Sequence, residues 1–584
     1  MFKLIRKLNK KDCLYAFICL IFVSIQVWLD LKLPDYMTNI TNLLTTSGLV
    51  KDILEQGFYM LLCAFFSLVS AFITGYFASY LSASFSKRLR SDVYDKIMDF
   101  NMEEIKSFST SSLITRTTND VAQVQMFLSM GLQVMIKAPI LAVWAILKIL
   151  GKGWQWSLIT FGAVILLFIT ILIVVLFALP KFKIIQKLTD NLNRITRESL
   201  TGIRVIRAFN ADDYQEEKFE KANDELSKTH LFTGRIMSIM NPVMSLVMSG
   251  LSLAIYFVGA ILINNADISI KFDLFSNMVV FVSYAMQVVM AFMMLTMIFI
   301  IYPRASVSAD RILEVLNCNP KVKDGKFDGE TKLKGALEFK NVSFKYPDAD
   351  EYVIKNVSFK VKSGETIAFV GLTGSGKSTL INLIPRFYDV TDGEILIDGV
   401  NVKDYKLECL YNKIGYAPQK ASLFSGTIKS NIAFGEGNVI FDNNIIIEAI
   451  RVAQGEEFVE ALPNKYDSRV AQGGSNFSGG QKQRLSIARA IARNPEIFIF
   501  DDSFSALDYK TDLNLRKALN EYTSNSTCVI VAQRIGTIMN ADKIVVIDNG
   551  EVKMIGSHKE LLKKCDIYRE IAYSQLSKEE LENA

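Results

Sequence analysis

Four stretches of this chain carry no charged residue over the length of a membrane span. They are Gly57–Ser86, Trp154–Pro180, Ile236–Ala266 and Phe275–Pro303, of 30, 27, 31 and 29 residues. About 20 apolar residues suffice to cross a bilayer as a helix, so each run is long enough. Two weaker runs join them: Leu14–Leu33, with Asp30 and Lys32 near its end, and Gly131–Gly151, with Lys137 and Lys148. Six spans are predicted. The first is not read as a cleaved signal, because Leu33-Pro34-Asp35 rather than a small-residue cleavage site follows it.

Loop charge gives an orientation. With the basic start inside, the inner loops 87–128 and 181–235 hold 17 Lys and Arg, against Lys51, Lys152 and Lys271 outside. That asymmetry predicts a multi-pass protein of the cell membrane with both termini cytoplasmic. The inner loops read as helical text, so the spans are expected to continue as long helices turning near Phe108–Leu113 and Thr201–Phe209. Polar residues within the spans (Gln26, Asp30, Gln133, Lys137, Lys148, Asn241, Gln287) either line a substrate path or pack helices together. Asn241-Pro242 predicts a kink. The net charge of +5 comes from 65 basic and 60 acidic residues, mixed along the chain, which argues against nucleic acid as a partner. Seven scattered cysteines and two histidines give no metal-ligand spacing.

After Pro303 the text turns polar, and from Leu337 short β-rich runs alternate with helical ones, as in an α/β domain. The run Thr366–Val370 leads into Gly371-Leu-Thr-Gly-Ser-Gly-Lys-Ser-Thr379, a strand, glycine loop and helix start with the spacing of a phosphate cradle. Backbone N–H groups of Gly371, Thr373, Gly374, Ser375, Gly376 and Thr379 are expected to face phosphates, with Lys377 on the β- and γ-phosphates and Ser378 on Mg²⁺. The apolar run Ile497–Phe500 ends in Asp501-Asp502, which places Asp501 as the metal-side acid. The fold class is therefore membrane α-helical, six transmembrane helices with long cytoplasmic extensions, followed by an α/β P-loop NTPase cassette. Its expected divisions are an N-terminal segment 1–13, a membrane domain 14–305, a linker 306–335, a nucleotide-binding domain 336–575 and a tail 576–584.

Between loop and acid strand stands Phe477-Ser-Gly-Gly-Gln-Lys-Gln-Arg484, which resembles the signature of the ATP-binding-cassette (ABC) transporters. Tyr346, Gln419 in Tyr-Ala-Pro-Gln, and Ser505-Ala-Leu-Asp508 stand in that family's order, and the chain resembles an exporter-type half-transporter. The resemblance implies that Tyr346 stacks on the adenine of ATP, that Gln419 contacts Mg²⁺ or the attacking water, and that Asp508 belongs to the D-loop. It implies that Ser478, Gly479, Gly480 and Gln481 clamp a nucleotide held by a second half-transporter. The segments Phe108–Asp120 and Thr201–Phe209 look like the family's coupling regions.

Two positions depart from the family pattern. Asp502 stands where Glu is usual, a carboxylate drawn back by roughly 1.5 Å, and such misplacement can cost about a hundredfold in rate. Gln533 stands where His is usual. His558, in Gly-Ser-His-Lys-Glu, reads instead as a helix start with Ser557 and Glu560 as a capping box. These departures resemble the degenerate-site subunit of heterodimeric bacterial multidrug exporters. The expected function is ATP-driven export of an amphipathic or lipid-like substrate, with membrane lipid as a further partner. The alternatives are a homodimeric lipid flippase and an ATP-gated membrane sensor.

Overall fold

The computed structural model describes residues 1–45, 49–150, 152–435 and 442–576. The chain divides into two compact units: Met1–Met98 with Thr110–Cys318, and Asp99–Ser109 with Asn319–Ala584. Of the expected tail 576–584, all but Leu576 lies outside the described residues.

The first unit is helical. Its long helices are Lys10–Thr45, Val50–Met98, Val121–Ile149, Trp154–Thr201, Asp212–Ser238 continued by Met240–Asn265, and Ile268–Asn317. Six passes among the described residues are long and apolar enough to cross a membrane. Val50–Met98 has 49 residues, which at 1.5 Å per residue is ~74 Å, more than twice a hydrocarbon core of ~30 Å. The charged text after Ser86 thus continues the same helix, as its periodicity predicted. The breaks are short. Ser109 takes φ 61° after the helix Met102–Phe108, and Asn210 takes φ 50° after Ile203–Ala208. In the fifth pass the helix is interrupted at Ile239. Pro242 has no N–H to offer the Ser238 carbonyl four residues back, and its ring crowds that carbonyl.

The core of this unit is built from Val27, Leu141, Trp156, Leu251, Phe281 and Val288, one or two from each of five passes. Four of the polar residues in the spans are spent on helix packing. Lys137 meets Asp30 at 3.2 Å, Lys148 meets Asp35 at 2.7 Å, and Gln287 donates to the Asp30 carbonyl at 3.3 Å. Each such bond across helices is worth about 0.6–2 kcal/mol in a membrane.

Among the described residues the second unit holds twelve strands: β1 Leu337–Phe344, β2 Ile354–Val361, β3 Thr366–Val370, β4 Asp392–Ile397, β5 Val400–Asn401, β6 Ile414–Ala417, β7 Gly426–Thr427, β8 Arg469–Val470, β9 Ile497–Asp501, β10 Thr527–Val531, β11 Lys543–Asp548 and β12 Glu551–Gly556. The main sheet runs β12-β11-β3-β10-β9-β6, parallel except for the β12 edge. A second, antiparallel sheet runs β2-β1-β4-β5. Apolar side chains of both sheets, among them Phe339, Val361, Phe369, Ile499 and Val529, share one core. A second core, with Phe498, Phe500, Leu485 and Ile491, packs the main sheet against helices. In the main sheet Val531 pairs with Phe369 on one side and with Asp501 on the other. The residues after β3, β9 and β10 therefore emerge together at one edge, where open parallel sheets bind ligands.

Candidate nucleotide site

The loop after β3 is shaped by its glycines. Gly374 and Gly376 take φ +86° and +97°, and a Cβ on Gly371 would stand 2.1 Å from the Ile547 carbonyl oxygen. Neither conformation nor space admits another residue there, and the backbone N–H groups are left to line a cradle. Gly376 precedes the helix Lys377–Asn382. Lys377 curls back over the loop, donating to the carbonyls of Gly371 at 2.9 Å and Leu372 at 2.8 Å, with the Ser375 hydroxyl at 3.3 Å. Burial pulls its ammonium below the usual lysine range, and the nearby Asp502 and Asp501 carboxylates offset part of that. The chemistry of the loop is that of an anion site with a positive tip folded over it.

At the end of β9 the Ser378 hydroxyl donates to Asp501 Oδ1 at 3.0 Å. Burial pushes the Asp501 carboxyl above the usual carboxylate range, helped by Asp502 and opposed by the Ser378 bond and Lys377. A hydroxyl and a carboxylate oxygen this close form the beginning of an all-oxygen set, the donor type that hard divalent cations take.

Asp502 sits in the left-handed region at φ 47°, a conformation Asp tolerates better than most residues. It is buried, and its Oδ2 accepts from Gln533 Nε2 at 2.8 Å and from Gln419 Nε2 at 3.3 Å. The two positions that depart from the family pattern thus bond to each other. Gln419 is anchored in turn through its carbonyl, which accepts from Gln483 Nε2 at 2.5 Å.

Tyr346 closes the other side of the loop. Its hydroxyl lies 3.0 Å from the Thr379 hydroxyl, and Phe344 and Tyr388 meet its ring edge-on. The Lys106 ammonium stands 5.2 Å from the centroid of that ring. Lys106 belongs to the short helix Met102–Phe108, which shares a compact unit with the cassette. Glu104 accepts from the backbone N–H of Asn101 and of Lys321, both at 3.0 Å, and so ties this helix to the start of the cassette segment. The sequence reading did not foresee this tie. Its one local signal was Asn101-x-x-Glu104, a helix-capping spacing.

Ser478 caps the helix Gly479–Ala492, its Oγ accepting from the Gln481 N–H at 3.3 Å while Gln481 Oε1 accepts from the Ser478 N–H at 2.9 Å. The N-terminal N–H groups of this helix form a second anion-attracting end. It lies beside the Ser505–Asp508 turn, since a Cβ on Gly480 would be 3.1 Å from the Ala506 carbonyl. Asp508 caps the next helix through Thr511 N–H at 2.9 Å, which holds its carboxyl below the usual range. Phe477 is buried in the second core. His558 is buried too, bonded to the Tyr568 hydroxyl at 2.7 Å, and Ser557 and Glu560 form the expected capping box.

Comparison with known proteins decides the family. Residues 16–293 match the ABC transporter transmembrane region and residues 354–505 match the ABC transporter family. The chain belongs to the ABC transporters. It is 37% identical to an uncharacterised ABC transporter ATP-binding protein of Mycobacterium tuberculosis, over 94% of this chain and 93% of that protein. Identity to the uncharacterised ABC transporter ATP-binding protein YfiB of Bacillus subtilis is also 37%, over 98% of both. An ATP-dependent lipid A-core flippase of Haemophilus influenzae is 32% identical over 92% of this chain and 93% of its own length. A bacterial Atm1-family ABC exporter solved with ATP bound has the same fold, with a TM-score of 0.81 at 23% identity, covering 97% of this chain and 99% of that one. Membrane region and cassette on a single chain make this ABC transporter a half-transporter of the exporter type, a multi-pass membrane protein with an ATP-binding ATPase domain.

Proposed function

We propose that this ABC transporter is one subunit of an asymmetric exporter whose own ATP site hydrolyses slowly. The observation that carries this reading is the pairing of Asp502 with Gln533 and Gln419. A carboxylate that must orient a water has to reach it, and here the side chain is one methylene shorter than Glu and its Oδ2 is held back by two amide N–H bonds. An amide at position 533 also cannot take up and release a proton as an imidazole does.

In this reading Tyr346 stacks on adenine, the 371–379 loop and Lys377 hold the phosphates, and Ser378 and Asp501, with Gln419, are the residues that would hold Mg²⁺. Mg²⁺ would supply charge neutralisation between the phosphates. Ser478, Gly479, Gly480 and Gln481 present a helix N-terminus to the nucleotide of a partner half-transporter, with Asp508 alongside, so that closure of two cassettes around ATP drives the spans to turn outward. The substrate is amphipathic and leaves from the cytoplasm or inner leaflet.

A second reading, a homodimeric lipid flippase, is favoured by the 32% identity to the lipid A-core flippase. ATP turnover by this chain alone in lipid separates the two. Near-silence of the wild type, with turnover raised tenfold or more by Asp502→Glu together with Gln533→His, supports the asymmetric exporter. Brisk turnover by the wild type alone sinks it and leaves the flippase.

A further inference from the structure

The first and third passes carry matched residues one turn apart: Trp28 and Lys32 on one, Trp144 and Lys148 on the other. With Leu31 and Leu147 they line a cavity of about 390 Å³, within the size range of small-ligand sites. The Lys32 ammonium stands 5.6 Å from the Trp28 ring. Lys148 bonds to Asp35 at 2.7 Å, and Lys32 and Lys152 act on the same carboxylate. Lys152 is turned inward, toward the Asn277 side-chain oxygen at 3.5 Å and the Tyr284 ring. Three ammonium groups thus share Asp35, while Asp30 is taken by Lys137 and Ser67.

The third helix ends at Ile149, so Lys148, and Trp144 a turn below it, lie where that pass leaves the hydrocarbon. Trp and Lys at this level face lipid headgroups. Trp28 and Leu147 are 50% and 62% exposed, which opens the cavity onto the apolar flank of the helices. A water-soluble anion would gain nothing from that apolar wall, and a zwitterionic headgroup would leave the excess positive charge uncompensated. We propose that the Trp28–Lys32 and Trp144–Lys148 groove is a headgroup site for an anionic phospholipid, its phosphate between Lys32 and Lys148 and its chains along the exposed indole and leucine. This site is separate from the nucleotide site and does not rest on how that site works.

The test uses the full-length protein, purified in detergent and incubated with equal phosphatidylglycerol and phosphatidylcholine, with bound lipid counted by native mass spectrometry. Wild type should retain phosphatidylglycerol in preference. Lys32→Gln should cut that retention about fivefold and leave phosphatidylcholine unchanged, while Lys32→Arg keeps it. Glycerol 3-phosphate at millimolar concentration should not displace the lipid. Equal retention of the two lipids by wild type, or unchanged preference in Lys32→Gln, would show only interfacial anchoring and overturn the site. Displacement by glycerol 3-phosphate would make it a site for a soluble anion and overturn it as well. Should Lys32→Gln not purify, amine acylation of the wild type decides. Lys32 must be protected by phosphatidylglycerol and not by phosphatidylcholine, and equal labelling refutes the proposal.

Discussion

Single atoms decide the nucleotide site. A methyl group on Gly376 would stand 2.7 Å from Ile354 Cδ1 on a backbone already at φ +97°. Gly376→Ala should therefore lower ATP affinity at least tenfold, read by equilibrium binding of a labelled nucleotide, without loss of the helical signal of the membrane half. Asp501 gives a pH-dependent pair of effects. Its carboxyl is raised by burial, so the unfolded chain ionises it first as pH climbs past the ordinary aspartate range. Stability is then lost through the window up to the raised folded value, and the penalty persists at neutral pH. In the nucleotide-free protein Asp501→Asn should raise Tm at pH 7, and the gain should vanish once pH falls below the ordinary aspartate range. The cation side runs the other way: protons compete for the same oxygen, so Mg²⁺-dependent ATP binding should begin to weaken at a higher pH in the wild type than an ordinary aspartate would allow. A flat binding profile would contradict the assignment. Much of this site was legible, because the glycine spacing and the two terminal carboxylates are local text. The Asp502–Gln533 bond was not, since residues 31 apart meet only through the parallel pairing of β9 with β10.

At the scale of elements, legibility followed apolar density. Thr366–Val370 and Ile497–Asp501 are buried along nearly their whole length and announce themselves. Ile354–Val361 was missed, because only one face is buried and Lys, Asn and Ser fill the other. Long helices were read correctly past the apolar runs, since periodicity survives where hydropathy does not. The helix Met102–Phe108 shows what periodicity cannot tell: the text reads on as one long helix to Phe108, but Val50–Met98 ends first and the short helix belongs to the other unit. Glu104 satisfies two backbone N–H groups, one three residues before it and one 217 residues after it in sequence. Glu104→Ala should cost about 1–2 kcal/mol locally, seen as faster amide exchange in both 99–109 and 319–323. Faster exchange in only one of the two would mean that the carboxylate caps but does not tie. Glu104→Gln keeps one acceptor oxygen where Oε2 and Oε1 each take an N–H, so it should restore protection in only one of the two segments.

At the scale of the whole molecule, charge asymmetry makes a claim about sidedness. Cys13 is exposed and lies at the basic end. A membrane-impermeant maleimide should label it in inverted vesicles and spare it in intact cells, while Lys271→Cys should show the reverse. Labelling of Cys13 from outside would invert the topology. The division of the chain has a further consequence. Eleven residues, Asp99–Ser109, belong to the ATPase unit although some 200 residues of membrane helix separate them from the rest of it. A gene cut at Cys318 would not release the cassette; it would release a cassette with a piece missing. If such a chain were nicked after Met98 and after Ser109, the excised undecapeptide should remain bound as a non-covalent complement. A cassette expressed alone should be rescued by adding that peptide back. The motor of this transporter is thus written in two separated segments of its own sequence, and the membrane half cannot be exchanged for another without carrying part of the engine with it.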